Sequence, residues 1–508
     1  MSRRFKTADY AATLEVTVRL GDCLPPEHLA RFVVDAIAQM DLSAIYARYS
    51  ERGGEAYAPE ILVGLLFYGY ATGVFSSRKI ERATFESIPF RYIAGDRHPD
   101  HDTIANFRKA FLADLKELFV QLLALAHLAE VLVLGAISGD GTKIHADASK
   151  SKAVSYQRLG EIEAHLRAEV EELFALSEQA EQEAVPAGLV VGDEIARREA
   201  YLARLAEAKA VLEARAAQRL AQEQTEYAAK LAQRAEKERT SGRRPGGRPP
   251  RPPTPGPRAN DQYNFTGPES RIMKNPTDAG FAQDYNVHLA VDQASLLIVG
   301  TALSNHPNDT QEAEALLAAI PPAVGPPAAV ALDTGYFGPA TLDACARRGI
   351  EPYVATGRDP HHPSWRERFA PLPDPPPPDA SPQVQMAYKL KTAVGKVIYG
   401  TRKCTVEPVL GIIKEVLGFR QFSLRGVKAA AGEWCLVCLA FNLKRLHTLL
   451  AGDARRLGAA GPGRAPAFLA WAAGTRLWRR LIMLCHYGSA FVAWPPGRLW
   501  RAFSPTDC

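Results

Sequence analysis

Three acidic residues stand out because of the segments in which they lie. Asp140 follows the apolar run 131–138, Asp333 ends the run 328–332, and Glu407 precedes apolar residues at helical spacing. A single Asp at a strand end is usually a turn or cap residue, so the interpretation depends on all three together. Carboxylate oxygens are the ligands that Mg²⁺ prefers, and two such ions about 3.5–4 Å apart support phosphodiester cleavage and attack by a DNA 3′-hydroxyl. The trio therefore suggests metal-dependent chemistry on nucleic acid.

The segments around these carboxylates predict an α/β core. Apolar runs and alternating patterns indicate strands, and apolar residues at 3/4 spacing indicate helices. The two strands nearest the middle of the chain, at 285–292 and 296–303, are close enough to form a hairpin. Strands are predicted at 131–150, 285–292, 296–303, 328–332 and 350–355, and helices at 310–320, 341–348 and 389–416. Strands and helices that alternate in this way are typical of an α/β fold.

The first 130 residues carry helical patterns instead. Apolar residues recur at helical spacing in 27–49 and 59–70, and two short helices joined by a turn are predicted within 76–111. These helices display Arg78, Lys79 and Arg108, which suggests a helix-turn-helix-like DNA reader. A helical packing domain with ordinary surface arginines remains the alternative.

Three further segments have distinct compositions. Residues 156–238 predict two long amphipathic helices that break near 186–188 and form a hairpin or a partnered coiled coil. Residues 239–258 contain seven prolines, six arginines and no acid, so an extended or disordered linker is expected, either solvated or near phosphates. The tail 449–508 is basic and holds four of the six tryptophans. Its basic and aromatic residues either bind nucleic acid, or its tryptophans pack on the core.

Composition sets the broad class. The chain has 508 residues, a net charge of +5 and 47% hydrophobic residues, which is enough for a sizeable core and about three domains. Seven scattered cysteines argue against a disulfide framework. We expect no signal peptide and no membrane span, because no suitable apolar stretch is present. A bacterial cytoplasmic protein, associated with the nucleoid, is the expectation.

Several ordered motifs between residues 15 and 448 carry a resemblance to a known family. The motifs are YAP at 57–59, SSRKIE at 76–81, PDHDTI at 99–104, GDGTK at 139–143, SRIMK at 270–274, YNVHLAVD at 285–292 and ALDTGY at 331–336, followed by Tyr399, Arg402, Glu407 and Lys414. Together they resemble the DDE transposases of bacterial insertion sequences, and most of all the insertion-sequence eleven-eighty-two type. That resemblance implies an RNase H-like catalytic core.

The resemblance also implies roles for single residues. Asp140, Asp333 and Glu407 would be catalytic and would bind Mg²⁺ or Mn²⁺, with two ions expected. Further residues would lie near DNA phosphates or orient Glu407: Lys143, Tyr399, Arg402 and Lys414. Lys403 is the alternative cation, because four residues separate Arg402 from Glu407 where the family signature has three.

Lys414 follows Glu407 by seven residues, which places both on one helix face after two turns. A solvated Lys414 is the alternative. His145 and Asp147 are either additional ligands or structural residues, and the structural role is favoured.

The predicted fold is thus an RNase H-like mixed sheet flanked by helices, interrupted by a helical hairpin and preceded by a helical domain. Its parts are a DNA-binding domain (1–130), the first part of the core (131–155), the helical insertion (156–238), the linker (239–260), the remaining core (261–448) and the tail (449–508). The predicted function is a transposase that binds terminal inverted repeats on double-stranded DNA, cleaves, and joins 3′-hydroxyl ends to target DNA as a homodimer or larger assembly. The alternatives are a catalytically inactive or recruited DNA-binding protein, or a metal-dependent nuclease without strand transfer.

Overall fold

A computed structural model describes residues 19–49, 56–179, 188–244, 246–275, 280–357, 364–368 and 371–458. The predictions for the tail beyond residue 458 therefore lie outside the described residues, as do those for residues 1–18.

The N-terminal part is helical. Helix α3 (Pro59–Ala71) begins with a proline, which suits the first turn because its missing N–H is not needed there. Helix α6 (His101–Ala110) is capped by Asp100, whose carboxylate accepts a hydrogen bond from the backbone N–H of Thr103 at 2.9 Å. The helices are α1 (Leu29–Ile37), α2 (Ser43–Tyr46), α3 (Pro59–Ala71), α4 (Ser77–Glu86), α5 (Ile88–Ala94), α6 (His101–Ala110) and α7 (Leu112–Leu128).

A mixed sheet forms the centre of the molecule, and the chain is therefore a mixed α/β protein. The strands are β1 (Ala136–His145), β2 (Ala153–Ser155), β3 (Gln262–Asn264), β4 (Arg271–Asn275), β5 (Gly280–Asp292), β6 (Ile298–Ser304), β7 (Ala329–Leu332) and β8 (Glu351–Val354). Strand β1 runs antiparallel to β5 and parallel to β7, and β8 continues the parallel edge. Strands β4 and β6 both pair with β5, so the predicted hairpin of β5 and β6 is confirmed. Strands β2 and β3 form a separate small sheet.

Two long helices, α8 (Tyr156–Gln179) and α9 (Val191–Ser241), lie between β2 and β3 in the chain. They run antiparallel, since Tyr156 contacts Glu213 while Glu169 contacts Arg198 further along. A small apolar cluster of their own holds them together and includes Leu159, Leu205, Leu212 and Tyr263.

The remaining helices follow the sheet: α10 (Ala313–Ala318), α11 (Pro339–Arg348), α12 (Trp365–Arg368), α13 (Pro382–Lys391), α14 (Ala393–Thr401), α15 (Val406–Gly411) and α16 (Val427–Gly458). The single helix predicted over 389–416 is broken at Thr392, which caps α14. It is broken again by a 3₁₀ turn at Arg402–Cys404 and ends in a π-helical segment, Ile412–Val416.

Helix α16 joins the two halves of the molecule. It packs against α3 and α7 of the N-terminal part and against β6 of the sheet, so all of these elements share one apolar core. At Gly432 an added Cβ would lie 2.9 Å from Leu112, which shows how closely α16 and α7 approach. Residues 427–451 are long and apolar enough to span a membrane by composition, but most of this segment is buried inside the protein.

Candidate active site

One face of β1 carries the centre of the site. Side chains alternate along a strand, so Ser138, Asp140 and Thr142 point to the same face. The later segment 402–414 crosses this face and contacts each of them. Thr405 bonds Ser138 at 2.7 Å, Arg402 bonds Asp140 at 2.9 Å, and Lys414 donates to Thr142.

The three predicted carboxylates meet at the guanidinium of Arg402. Its Nη1 lies 2.9 Å from Asp140, and its Nη2 lies 3.8 Å from Asp333 and 3.4 Å from Glu407. The Arg402 side chain is 6% exposed, whereas those of Asp333 and Glu407 are about half exposed. The arrangement is an acidic site that opens to solvent above a buried cation.

The electrostatics of the site are dominated by burial. Burial raises the pKa of the Asp140 carboxyl to about 6, against the attraction of Arg402 and the hydrogen bond from the Gly141 N–H. The nearby charge of Asp333 contributes to this upward shift. For Arg402, burial lowers the pKa, but the surrounding carboxylates outweigh it and the net shift is upward. Three carboxylates against one guanidinium leave the ionised site with a net charge of about −2, which a divalent cation would offset.

The donor chemistry of this set fits Mg²⁺ or Mn²⁺, because all three side chains offer hard oxygen ligands. Within the described ranges no three His, Cys, Asp or Glu side chains form a metal-ligand group by themselves. The carboxylates converge on Arg402 rather than directly on one another.

The opposite face of β1 is supported by a tyrosine and a histidine. Asp333 follows β7, and its carboxylate accepts from the Thr334 N–H at 2.7 Å at the start of a 3₁₀ turn that ends at Tyr336. The Tyr336 hydroxyl bonds His288 Nδ1 at 2.6 Å. A Cβ at Gly141 would lie 2.8 Å from His288 and 3.1 Å from the Tyr336 hydroxyl. The glycine after Asp140 is therefore required by a close approach of these two rings.

The structure distinguishes between the two candidate cations beside Glu407. Arg402 contacts the carboxylates, while Lys403 is exposed. Tyr399 lies beside the site, with its ring centre 5.9 Å from the guanidinium carbon of Arg402. Lys414 lies in the π-helical segment Ile412–Val416 and donates to Thr142.

Other polar residues near the strand have separate partners. Lys143 lies 3.7 Å from Asp309, His145 lies 2.7 Å from Asp284, and Asp147 lies 2.8 Å from Arg425. His145 and Asp147 are thus engaged in pairs toward the end of β1, away from the carboxylates at Arg402.

Of the three predicted DNA-contacting residues in the N-terminal part, two are exposed and one is buried. Arg78 and Lys79 lie exposed on α4. Arg108 is 7% exposed and lies in the core, where it donates to the Tyr70 hydroxyl and the Phe75 carbonyl and lies 3.8 Å from Glu433. Its geometry is that of a residue joining α6 to α3 and α16.

Sequence reasoning missed the neutral residues that hold the site together. Ser138 and Thr405 anchor the segment 402–414 to β1, and Gln293 bonds both Ser138 and the Ile398 carbonyl. Ser138 lies two residues before Asp140, so the period of two along the strand was the available signal for its face.

Comparisons with protein-family models give two matches. Residues 18–110 match the model described as Transposase domain (DUF772), and residues 254–443 match the model described as Transposase DDE domain. The chain therefore carries two transposase domains, and these support an insertion-sequence DDE transposase, an enzyme that acts on DNA. No curated protein and no solved structure matches the chain.

Proposed function

We propose that this protein binds the terminal inverted repeats of its own insertion sequence, cleaves the DNA and joins the freed 3′-hydroxyl ends to target DNA. The observation that carries the proposal is the convergence of Asp140, Asp333 and Glu407 on Arg402. They come from a strand, a strand end and a helix that are far apart in sequence. The mixed sheet that holds them supports an α/β catalytic core. We propose that this core is RNase H-like and of the eleven-eighty-two type, with α8 and α9 as its helical insertion.

In this proposal Asp140, Asp333 and Glu407 hold two Mg²⁺ or Mn²⁺ ions. Such ions, when bound, activate a water or a DNA 3′-hydroxyl and stabilise the leaving oxygen. Arg402 orients the carboxylates, and its buried guanidinium keeps them together against their mutual repulsion. Tyr399, Lys403 and Lys414 lie around this centre and are proposed to meet DNA phosphates, as is Lys143.

Two exposed cations on α4, Arg78 and Lys79, are proposed to contact the inverted repeats. Because Arg108 lies in the core, we leave it out of this surface. Two DNA ends must be paired before joining, so the active assembly is proposed to be a homodimer or larger.

The test is metal-dependent cleavage of a labelled DNA that carries the ends of the insertion sequence, with Mg²⁺ or Mn²⁺. Asp140→Asn is expected to abolish cleavage while DNA binding persists, because it removes a ligand charge and no base-reading group. Asp343→Asn is the matched control, since Asp343 is an exposed acid on α11.

The reaction products distinguish the proposed transposase from the two alternatives. Nicking followed by joined products supports the transposase, whereas nicking without joining would indicate a nuclease. Binding without cleavage in either metal would indicate an inactive or recruited DNA-binding protein. Normal cleavage by Asp140→Asn would show that the carboxylate assignment is wrong.

A further inference from the structure

Helix α9 extends well past the body that it packs on. Its contacts with the core end near Arg219, which bonds Asp261 at 2.9 Å and the Gly256 carbonyl at 3.1 Å. The helix then continues for 22 residues to Ser241, about 33 Å at 1.5 Å per residue. The chain then returns to Arg258, and the described residues 242–244 and 246–258 form no helix or strand. We call residues 220–244 and 246–258 the basic arm.

The returning chain lies along the outgoing helix. Arg258 bonds Glu223 at 2.8 Å at the base of the arm, and Arg234 contacts the Gly246 carbonyl at 3.4 Å further out. Between these two points, residues 250–254 line a cleft with Glu223, Glu226, Tyr227 and Lys230. Prolines restrict φ to near −65° and so favour an extended chain with little conformational entropy to lose. The arm is therefore a helix with an extended, proline-rich segment lying along it.

The charge of the arm is strongly one-sided. It contains nine basic and four acidic residues, an excess of +5 that equals the net charge of the whole chain. Three of its acids are neutralised locally, because Glu223 pairs with Arg258, Glu226 with Lys230 and Glu236 with Arg239. These pairs use only three of the nine cations.

Four arginines of the returning strand are exposed: Arg243, Arg244, Arg248 and Arg251. Across the described part of the chain, none of the four takes part in an ion pair. Arg248 and Arg251 are three residues apart, which in a polyproline II strand puts them on one side about 9 Å apart. That spacing is comparable to the axial rise of two to three phosphates along one strand of a duplex, at about 3.4 Å each.

We propose that the basic arm binds the phosphate backbone of double-stranded DNA outside the carboxylate site, without reading bases. Guanidinium groups suit phosphate because they offer paired donors and a permanent charge. The proline-rich segment is already extended along the helix and presents these groups in a row, whereas a free linker would lose conformational entropy on binding. This inference rests on the proposed function, since the arm would be a second binding surface for the DNA that the carboxylate site cleaves.

The test compares full-length variants that each remove three positive charges. Arg244→Gln, Arg248→Gln and Arg251→Gln together change the arm. Arg158→Gln, Arg167→Gln and Arg197→Gln together form the control, since these arginines are exposed on α8 and α9 but are paired with glutamates. Fluorescence anisotropy with a labelled duplex of unrelated sequence is measured over a range of salt concentrations. A lysine triple variant of the arm positions tests whether charge alone suffices.

We expect the glutamine arm variant to bind at least about tenfold more weakly than wild type at low salt. Its slope of log K against log salt should fall by about 0.9 for each phosphate that the arm no longer neutralises. The control should behave as wild type, and the lysine variant should retain most of the slope. Equal slopes for arm variant and control would overturn the proposal. The proposal would also be overturned if the arm variant differed from wild type only in self-association measured by sedimentation, or if it lost binding to RNA but not to the DNA duplex.

Cleavage by the same samples separates this inference from the function on which it rests. If wild type cleaves end DNA but the arm variant binds like the control, only the arm proposal fails. If wild type binds through the arm but cleaves in neither metal, the transposase proposal fails while the arm remains a DNA-binding surface.

Discussion

The shared core around α16 and the pair of helices α8 and α9 are built in different ways. The first is one large apolar cluster that unites the N-terminal helices, the sheet and α16. The second is a small cluster along a mostly exposed and charged pair of helices. The N-terminal helices are therefore not an independent module, because α16, from the other end of the described chain, completes their packing. Substitutions in the core should disturb fold and site together, while those in α8 and α9 should act locally.

The largest effect is expected at the joint between the two halves. Glu433 is fully buried on α16 and accepts hydrogen bonds from Tyr70 at 3.1 Å and from the backbone N–H groups of Ser423 and Leu424. Glu433→Ala would leave Arg108 as a buried charge with its ionic partner removed. We expect the free energy of unfolding to fall by roughly 3–5 kcal/mol.

Denaturant unfolding measures this loss, and Glu314→Ala provides the comparison. Glu314 also pairs with two arginines, but at the surface, so its loss should cost about 1 kcal/mol or less. If both variants unfold alike, the N-terminal helices are not joined to α16 in the way described.

The second prediction tests whether α8 and α9 form a separate unit. Leu212 is 2% exposed in their small cluster. Leu212→Ala removes packing worth roughly 2–5 kcal/mol. We expect faster hydrogen exchange in α8 and α9, with little change in the main thermal transition. Leu443→Ala, in the core on α16, should instead lower the main transition, and a shift of equal size in both variants would contradict two separate units.

A third and smaller effect is expected at the floor of the candidate site. Gly141→Ala places a Cβ against His288 and Tyr336, so the backbone of β1 must shift beside Asp140. We expect a loss of about 1–3 kcal/mol in stability, together with slower DNA cleavage. Gly135→Ala is the control, because no atom lies within 4 Å of its added Cβ. Wild-type stability and cleavage in Gly141→Ala would show that this contact is unimportant.

The sequence predicted much of the fold because its strands and helices have strong periodicity. The β5 and β6 hairpin and the strand before Asp333 follow directly from the residue pattern. The break at Thr392 was not predicted although it is local, since the Thr392 hydroxyl caps α14 by accepting from the Gly395 N–H. The break at Arg402–Cys404 left no such signal, because the contact of Thr405 with Ser138 on β1 stabilises it.

The candidate site shows the same limit. The motifs located Asp140, Asp333 and Glu407, but residue type alone placed Arg108 on the surface, although it lies in the core. An arginine on a helix is usually exposed, but Arg108 is buried because it donates to Tyr70 and the Phe75 carbonyl and lies beside the distant Glu433. Contacts between residues more than 300 positions apart leave no local signal in a single sequence.

The smallest predicted effect concerns pH and tests how rigid the core face of β1 is. Burial lowers the pKa of His288 to about 4, below its ordinary value of 6.5, although the charges of Glu312 and Asp309 oppose this. Between these two pH values the unfolded chain binds a proton that the folded protein does not. Stability from this group is therefore complete above pH 6.5 and falls as pH decreases toward 4.

The matched variant is His288→Gln, which keeps a polar partner for Tyr336 but removes the titrating group. Wild type should lose more stability than His288→Gln when denaturant unfolding is compared at pH 7 and pH 5. The comparison between the two proteins matters because the raised pKa of Asp140 acts in the opposite direction and is common to both. An equal loss in both would mean that His288 takes up its proton in the folded protein as easily as in the unfolded chain, so that burial on this face of β1 does not exclude the charged imidazole.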